Sequence, residues 1–288
     1  MLPNLLVIGA MKSATTSLHQ YLDAHPMIHM SQEKEIDFFN TQENFQRGLT
    51  WYQNHFEVNP QISIYGESST SYTKYPFFHR VPQRIYQTIP HVKLIYILRD
   101  PIERAISHYH MMFLRDEEQR SFTDAIADLE TSMYVRVSQY HTQLQQYLDY
   151  FPLEQIHILT TNSLKRDSKA AMQQIFDFLE VDPIIEAEQY TYKHNNAAEK
   201  FGYNAVGRIA KRLLLNQESP MRQLIMPLIP KSLRRDLRTR IFGTKVMRTQ
   251  IEKPHISDES RQRLVQYLTP EVDALRQLTG KTFDSWSL

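Results

Sequence analysis

The run Val92–Leu98, Val-Lys-Leu-Ile-Tyr-Ile-Leu, most limits the folds open to this chain. It is β-branched and nearly all apolar, with no alternation of polar and apolar positions. That pattern predicts a strand buried on both faces, the hallmark of a parallel sheet covered by helices. The charged pair Arg99-Asp100 ends it at once, and Pro101 stands where helices begin. A second run, Asn4–Gly9, has the same character and ends in glycine.

Between and after these runs the chain alternates. Helices are predicted over Thr15–Ala24, Phe77–Ile89, Pro101–Leu114, Met133–Tyr150 and Ser168–Glu180, and short strands over Ile62–Gly66 and Gln155–Leu159. After about Tyr190 only helices and loops are expected, with a closing helix over Ser257–Leu278. The expectation is an α/β fold: a P-loop-like, three-layer domain with a central parallel sheet flanked by helices, plus a helical C-terminal segment. No Gly/Ser-rich or Pro-rich linker interrupts the 288 residues, so one domain over 1–288 is expected, with a nucleotide-binding core at about 1–190, a basic helical insertion at about 200–250 and C-terminal helices at about 257–288.

The chain has no cysteine, which excludes disulfides, thiolate catalysis and Cys-ligated zinc. The N-terminal apolar run is short and lacks a basic flank, so it reads as a first strand and not a signal peptide, and a cytoplasmic protein is expected. Residues 200–250 carry 12 Lys and Arg against 2 acidic residues, in a chain of net charge +1. Within them Leu233, Leu237 and Ile241 form an apolar stripe flanked by Arg234, Arg235, Arg238 and Arg240. This segment is a candidate contact for an anionic acceptor or an anionic lipid surface. Nucleic acid is not expected, because stacking aromatics are scarce there.

The chemistry is concentrated where strands end. After the first strand comes Gly9-Ala10-Met11-Lys12-Ser13-Ala14-Thr15-Thr16-Ser17-Leu18. A turn into a helix exposes backbone N–H groups and the positive end of the helix dipole. Lys12 adds a full charge, and Thr15, Thr16 and Ser17 add hydroxyls. Everything needed to hold a phosphate or sulfate lies within a few residues. No glycine stands immediately before Lys12, so this is not the standard triphosphate loop. The pattern, continued through His25-Pro26 and Lys34-Glu35-Ile36-Asp37-Phe38-Phe39, resembles the sulfotransferases that use 3′-phosphoadenosine 5′-phosphosulfate (PAPS), most of all the heparan sulfate N- and O-sulfotransferase branch and its bacterial relatives.

That resemblance implies a set of roles. Lys12, Ser13, Ala14, Thr15, Thr16 and Ser17 would hold the 5′-phosphosulfate, with Lys12 also stabilising the leaving phosphate. The family usually has glycine where Ala14 stands, so the bend here is expected to avoid positive φ. Arg99 and Ser107, in Arg99-Asp100-Pro101-Ile102-Glu103-Arg104-Ala105-Ile106-Ser107, would bind the 3′-phosphate, while Asp100 and Arg104 are expected to be caps or an internal ion pair. Glu67, in Glu67-Ser68-Ser69-Thr70-Ser71-Tyr72, would be the catalytic base. Ser68 replaces a lysine of the family pattern, and Lys34 is a candidate to supply that cation. Lys193 is a candidate for a loop over the nucleotide. His108, His110 and His141 are competing bases ranked below Glu67, and His108 and Lys34 are candidates for facing the acceptor.

The implied reaction moves a sulfuryl group from PAPS to a hydroxyl or amine, leaving adenosine 3′,5′-bisphosphate, with no metal required. Two rival readings stand beside it. A P-loop kinase or NTPase would use Asp100 as a strand-end magnesium ligand. A non-catalytic module would bind a polyanion or membrane through residues 200–250.

Overall fold

The computed structural model describes residues 1–183, 201–203, 248–250, 254 and 256–288. Lys193 and most of the basic segment, with its arginine-flanked stripe, lie outside the described residues. Two compact units are present: Met1–Ala105, Ala125–Lys193 and Ile256–Leu288 form the first, and Ile106–Asp124 with His194–His255 the second.

The first unit is built on five parallel strands, β1 (Leu5–Gly9), β2 (Ile28–Met30), β3 (Ile64–Ser68), β4 (Lys93–Leu98) and β5 (Ile156–Thr160), in the order β2-β3-β1-β4-β5. Its helices are α1 (Thr15–Asp23), α2 (Gln42–Gln46), α3 (Gly48–Gln53), α4 (Val81–Thr88), the start of α5 (Pro101–Leu114), the last residue of α6 (Phe122–Ala125), α7 (Met133–Arg136), α8 (Tyr140–Leu148), α9 (Thr161–Arg166), α10 (Ser168–Leu179) and α11 (Asp258–Thr279). Strand periodicity explains the two layers of core. Leu5 and Val7, with Ile95 and Ile97, pack against Leu18 and Leu22 of α1 and Met172 and Phe176 of α10. Leu6 and Ile8, with Leu94, Tyr96 and Leu98, pack on the other side against Tyr140, Leu144 and Tyr147 of α8 and Val272 and Leu275 of α11. This is the expected three-layer α/β arrangement, with its closing helix.

The strand order locates the site. From β1 the chain moves outward to β2 and β3, then crosses back to β4 and β5 on the other flank. The direction of winding switches between β1 and β4, and it is beyond the carboxyl ends of strands at such a switch that open α/β sheets bind ligands.

Several boundaries differ from the sequence expectation. The edge strand β2 has only three residues and carries no pattern long enough to read. Strand β3 continues to Ser68, so Glu67 lies within it instead of following it. The helix expected over Met133–Tyr150 is two helices, broken where buried Ser138 donates to the Pro101 carbonyl (2.8 Å) and accepts from Arg104 Nε (2.7 Å). Helix α4 begins at Val81, because Phe77 and Phe78 close a turn on the Lys74 carbonyl and Arg80 takes a left-handed conformation.

In the second unit, the Tyr109 hydroxyl on α5 donates to the Arg120 carbonyl (2.8 Å), and its ring meets Phe113 and Phe122. Strands β6 (Phe201–Tyr203) and β7 (Arg248–Gln250) pair antiparallel, Phe201 opposite Gln250. The expectation of helices and loops alone beyond Tyr190 is therefore corrected: two strands bracket the basic segment. Their pairing joins residues far apart in sequence, and three-residue strands leave no readable period. Among the described residues, no helix is long and apolar enough to cross a membrane.

Candidate functional site

The loop from β1 to α1 turns sharply by placing two non-glycine residues in the left-handed region, Lys12 at φ 69° and Ala14 at φ 66°. The expectation that Ala14 avoids positive φ is thus overturned. The bend needs that conformation whichever residue occupies it, and an L-residue with a Cβ pays a steric penalty there. Ala14→Gly should accordingly raise stability by about 0.5–1 kcal/mol after the added chain entropy of glycine is subtracted, read as a shift in the urea midpoint at unchanged m. Gly9 has its own reason: a Cβ would collide with Oγ1 of Thr73, whose hydroxyl donates to the Ile8 carbonyl (3.1 Å) and pins the end of β1 to the 3-10 turn Thr70–Thr73.

Ala14 is also the N-cap of α1 and has no side chain with which to cap it. The first-turn N–H groups of Thr15, Thr16 and Ser17 thus have no intrahelical acceptor and no capping oxygen, and an anion would serve. Lys12 stands immediately before this turn, Ser13 is fully buried within it, Thr15 is nearly so, and Thr16 is exposed. These residues fit a phosphosulfate. Thr161, at the start of α9, donates both to the Ser13 carbonyl (3.1 Å) and to the Leu98 carbonyl (3.0 Å), locking this loop to the end of β4.

Arg99 follows β4 directly. Its guanidinium donates to the Lys12 carbonyl (3.4 Å) and lies 3.7 Å from Glu103, so it stands beside the anion loop with a charge for a second phosphate. Its own carbonyl accepts from Tyr140 (2.8 Å). Asp100 is a cap: Oδ1 accepts from the N–H groups of Ile102 (2.9 Å) and Glu103 (3.0 Å), and Oδ2 from that of Ser287 (2.6 Å). With both oxygens bound to backbone donors, Asp100 has a structural role, which removes the feature that favoured a magnesium-dependent kinase. Arg104, fully buried, binds Ser138 and the Tyr134 carbonyl (2.6 Å). Ser107 lies further along α5, in the second unit, and is buried.

Glu67 is strongly altered by its surroundings. The register sets it opposite Leu6, one residue from the end of β3. Its carboxyl is completely buried, Oε1 accepts from the Tyr72 hydroxyl, and Tyr52 is a second hydrogen-bonding neighbour of the carboxyl. Burial pushes its pKa from 4.5 up to about 8; the Tyr72 hydrogen bond opposes the rise and the Asp37 charge adds to it. Tyr52 and Tyr72 beside it are driven well above 10, by burial and then by the Glu67 charge.

The segment Lys34-Glu35-Ile36-Asp37 connects Glu67 to the anion loop. Lys34 Nζ donates to Thr15 (3.4 Å) and pairs with Glu35 (2.7 Å), and Glu35 accepts from the N–H (2.8 Å) and hydroxyl of Thr70. Lys34 was expected to supply a missing cation, and it reaches the loop. The contributions of Glu35, Asp37, Tyr52 and Tyr72 were not anticipated. The two acids, Glu35 and Asp37, stand in the same short motif as Lys34, and that motif is the sequence signal for them. Ser68, in place of the expected lysine, meets His19 Nδ1 (2.9 Å). Among the rival bases, His141 on α8 contacts Gln145 (3.2 Å), and His108 and His110 are buried in the second unit.

This arrangement can be set against known proteins. The model of the sulfotransferase domain matches residues 2–212. The heparan sulfate glucosamine 3-O-sulfotransferase 5 of Mus musculus is 33% identical over 206 residues, which is 67% of this chain and 57% of that protein. The bifunctional heparan sulfate N-deacetylase/N-sulfotransferase 2 of Homo sapiens is 30% identical over 210 residues, 64% of this chain and 22% of that protein. The chain therefore spans little more than half, or less, of the curated relatives it matches. A sulfotransferase from Alicyclobacillus acidocaldarius, solved by crystallography, shares the fold with a TM-score of 0.66 at 21% identity, over 100% of both chains. The domain match covers the loop from β1 to α1, Glu67 and Arg99, and the chain belongs to the sulfotransferase domain family.

Proposed function

We propose that this chain transfers a sulfuryl group from PAPS to a hydroxyl or amine of a carbohydrate acceptor, with Glu67 as the base. The observation that carries this reading is a fully buried carboxyl on the strand next to the one that leads into the lysine-bearing loop, a burial that pushes its pKa up to about 8. A base is most effective when its pKa lies near the working pH. The relatives named for heparan sulfate support a sugar acceptor.

Bound PAPS supplies the sulfuryl group and a phosphate leaving group. Lys12 and the uncapped N–H groups of α1 hold that end by charge and hydrogen bonding and stabilise the charge that grows on departure. Arg99 binds the 3′-phosphate, where a guanidinium can grip two oxygens. The acceptor oxygen or nitrogen loses its proton to Glu67 as its bond to sulfur forms. Lys34 holds the segment that carries Glu35 and Asp37 against the anion loop.

Calorimetry with adenosine 3′,5′-bisphosphate, AMP and ATP tests the cofactor. The bisphosphate is expected to bind at least about ten-fold more tightly than AMP, and Arg99→Gln should erase most of that margin while AMP binding holds. Equal affinity of the parent protein for AMP and the bisphosphate would remove PAPS from the reading.

A further inference from the structure

Between α4, the turn that leads into it and α8 lies a cavity of about 530 Å³, within the roughly 300–1,000 Å³ of small-molecule sites. Its residues all belong to the first unit. Tyr72, Tyr75, Phe78, Tyr147 and Tyr150 supply its aromatic walls. The walls are fixed in advance. The Gln143 amide accepts from the N–H of Tyr75 (2.8 Å) and donates to the Tyr75 carbonyl (2.7 Å), and the Tyr147 hydroxyl donates to the Tyr72 carbonyl (2.9 Å). These bonds tie the turn to α8, so a ligand would not have to order it.

Aromatic surface is left open here. Six large hydrophobic side chains are exposed among the described residues, and the three aromatic ones, Phe77, Tyr86 and Tyr150, gather at this place. Tyr150 lines the cavity, Phe77 adjoins Phe78 in the lining, and Tyr86 meets Tyr150 with ring centroids 6.0 Å apart. Rings clustered at a cavity are costly to leave wet, and a ligand with an apolar face would cover them.

Polar groups stand among the rings. The side chains of Gln83, Gln146 and Asp149 line the cavity and hydrogen-bond to no other described residue, and the same holds for the Tyr75 and Tyr150 hydroxyls. The two carboxamides both donate and accept, and the carboxylate accepts. Arg80 and Asp149 bring opposite charges to the lining, and His79 packs edge-on to Tyr75 (5.7 Å), so an ionic ligand gains little. The ligand that suits this set has an apolar face, a rim of hydroxyls and no net charge, which describes a pyranose ring. One residue joins the cavity to the reaction centre: Tyr72 lines it, and the Tyr72 hydroxyl donates to Glu67.

We propose that this cavity is a carbohydrate subsite, holding an uncharged pyranose unit of the acceptor away from the unit that receives the sulfuryl group. Its assignment to the acceptor rests on the sulfuryl-transfer reading; the sugar chemistry of the cavity does not. Calorimetry with N-acetylchitotetraose, cellotetraose and maltotetraose tests it, with adenosine 3′,5′-bisphosphate titrated in parallel. At least one of these uncharged chains should bind the parent protein, and added salt should not weaken it. Tyr150→Ala, at an exposed position, and Gln146→Ala, at a half-buried one, should each lower that affinity about ten-fold through loss of a stacking face or of an amide, with bisphosphate binding unchanged. Glu67→Gln should bind the chain as the parent does, which separates the cavity from the reaction centre. The subsite is overturned if none of the three chains binds while the bisphosphate does, if salt weakens the binding markedly, if either cavity variant leaves the affinity untouched, or if Glu67→Gln abolishes it. A parent protein that does not bind the bisphosphate overturns the transfer reading instead, and with it the assignment of the bound sugar to an acceptor.

Discussion

Glu67→Gln is expected to bind adenosine 3′,5′-bisphosphate like the parent protein and to turn over about 10²- to 10⁴-fold more slowly, the usual contribution of a positioned base. The amide preserves shape and can still meet Tyr72, so loss of the proton acceptor is the change that matters. In the parent protein log kcat/KM should rise with pH and level off above about 8, because that parameter follows the free enzyme, in which the buried carboxyl titrates near 8. Stability should run the other way. The folded carboxyl holds its proton more tightly than the unfolded one, so its favourable contribution is complete below about 4.5 and is lost as pH rises through about 8. Above pH 8 Glu67→Gln should therefore melt higher than the parent, the trade expected of a group buried for chemistry at the expense of stability. Parent-like turnover in the variant would reassign the base to a histidine.

Lys12→Ala should lower single-turnover transfer by about 10²-fold or more, about 2.7 kcal/mol, through loss of the nearest cation to the leaving phosphate. Lys12 also occupies a left-handed position, so alanine alters the backbone preference as well as the charge. Lys12→Asn separates the two, because asparagine tolerates that conformation better. Equal losses in both variants would assign the effect to charge. Recovery in Lys12→Asn would assign it to the bend, and the cation role would have to lie elsewhere.

The parts of this protein that could be read from its residues are those in which neighbours in sequence are also neighbours in space. Val92–Leu98 and Asn4–Gly9 declare buried parallel strands because each run is apolar on both faces. The anion loop is legible because its charge, hydroxyls and helix start fall within a few positions, and Arg99 because it closes a strand. Even Lys34, offered as a substitute cation, does reach the loop. Other properties arise from partners distant along the chain. Glu67 is pushed up to about 8 because folding buries it and brings the Asp37 charge near, against the opposing Tyr72 hydrogen bond. Asp100 caps α5 through its neighbours Ile102 and Glu103, as its sequence position implies, but its second oxygen is taken by the backbone of Ser287, far along the chain. The helix expected over Met133–Tyr150 breaks because Ser138 answers to Pro101 and Arg104. Local pattern determines strands and loops, since hydrophobic period and turn chemistry act over a few residues. Protonation, strain at Ala14 and the roles of Glu35 and Asp37 wait on burial and on contacts that only the assembled sheet provides, because desolvation depends on what surrounds a group and not on what precedes it in the chain.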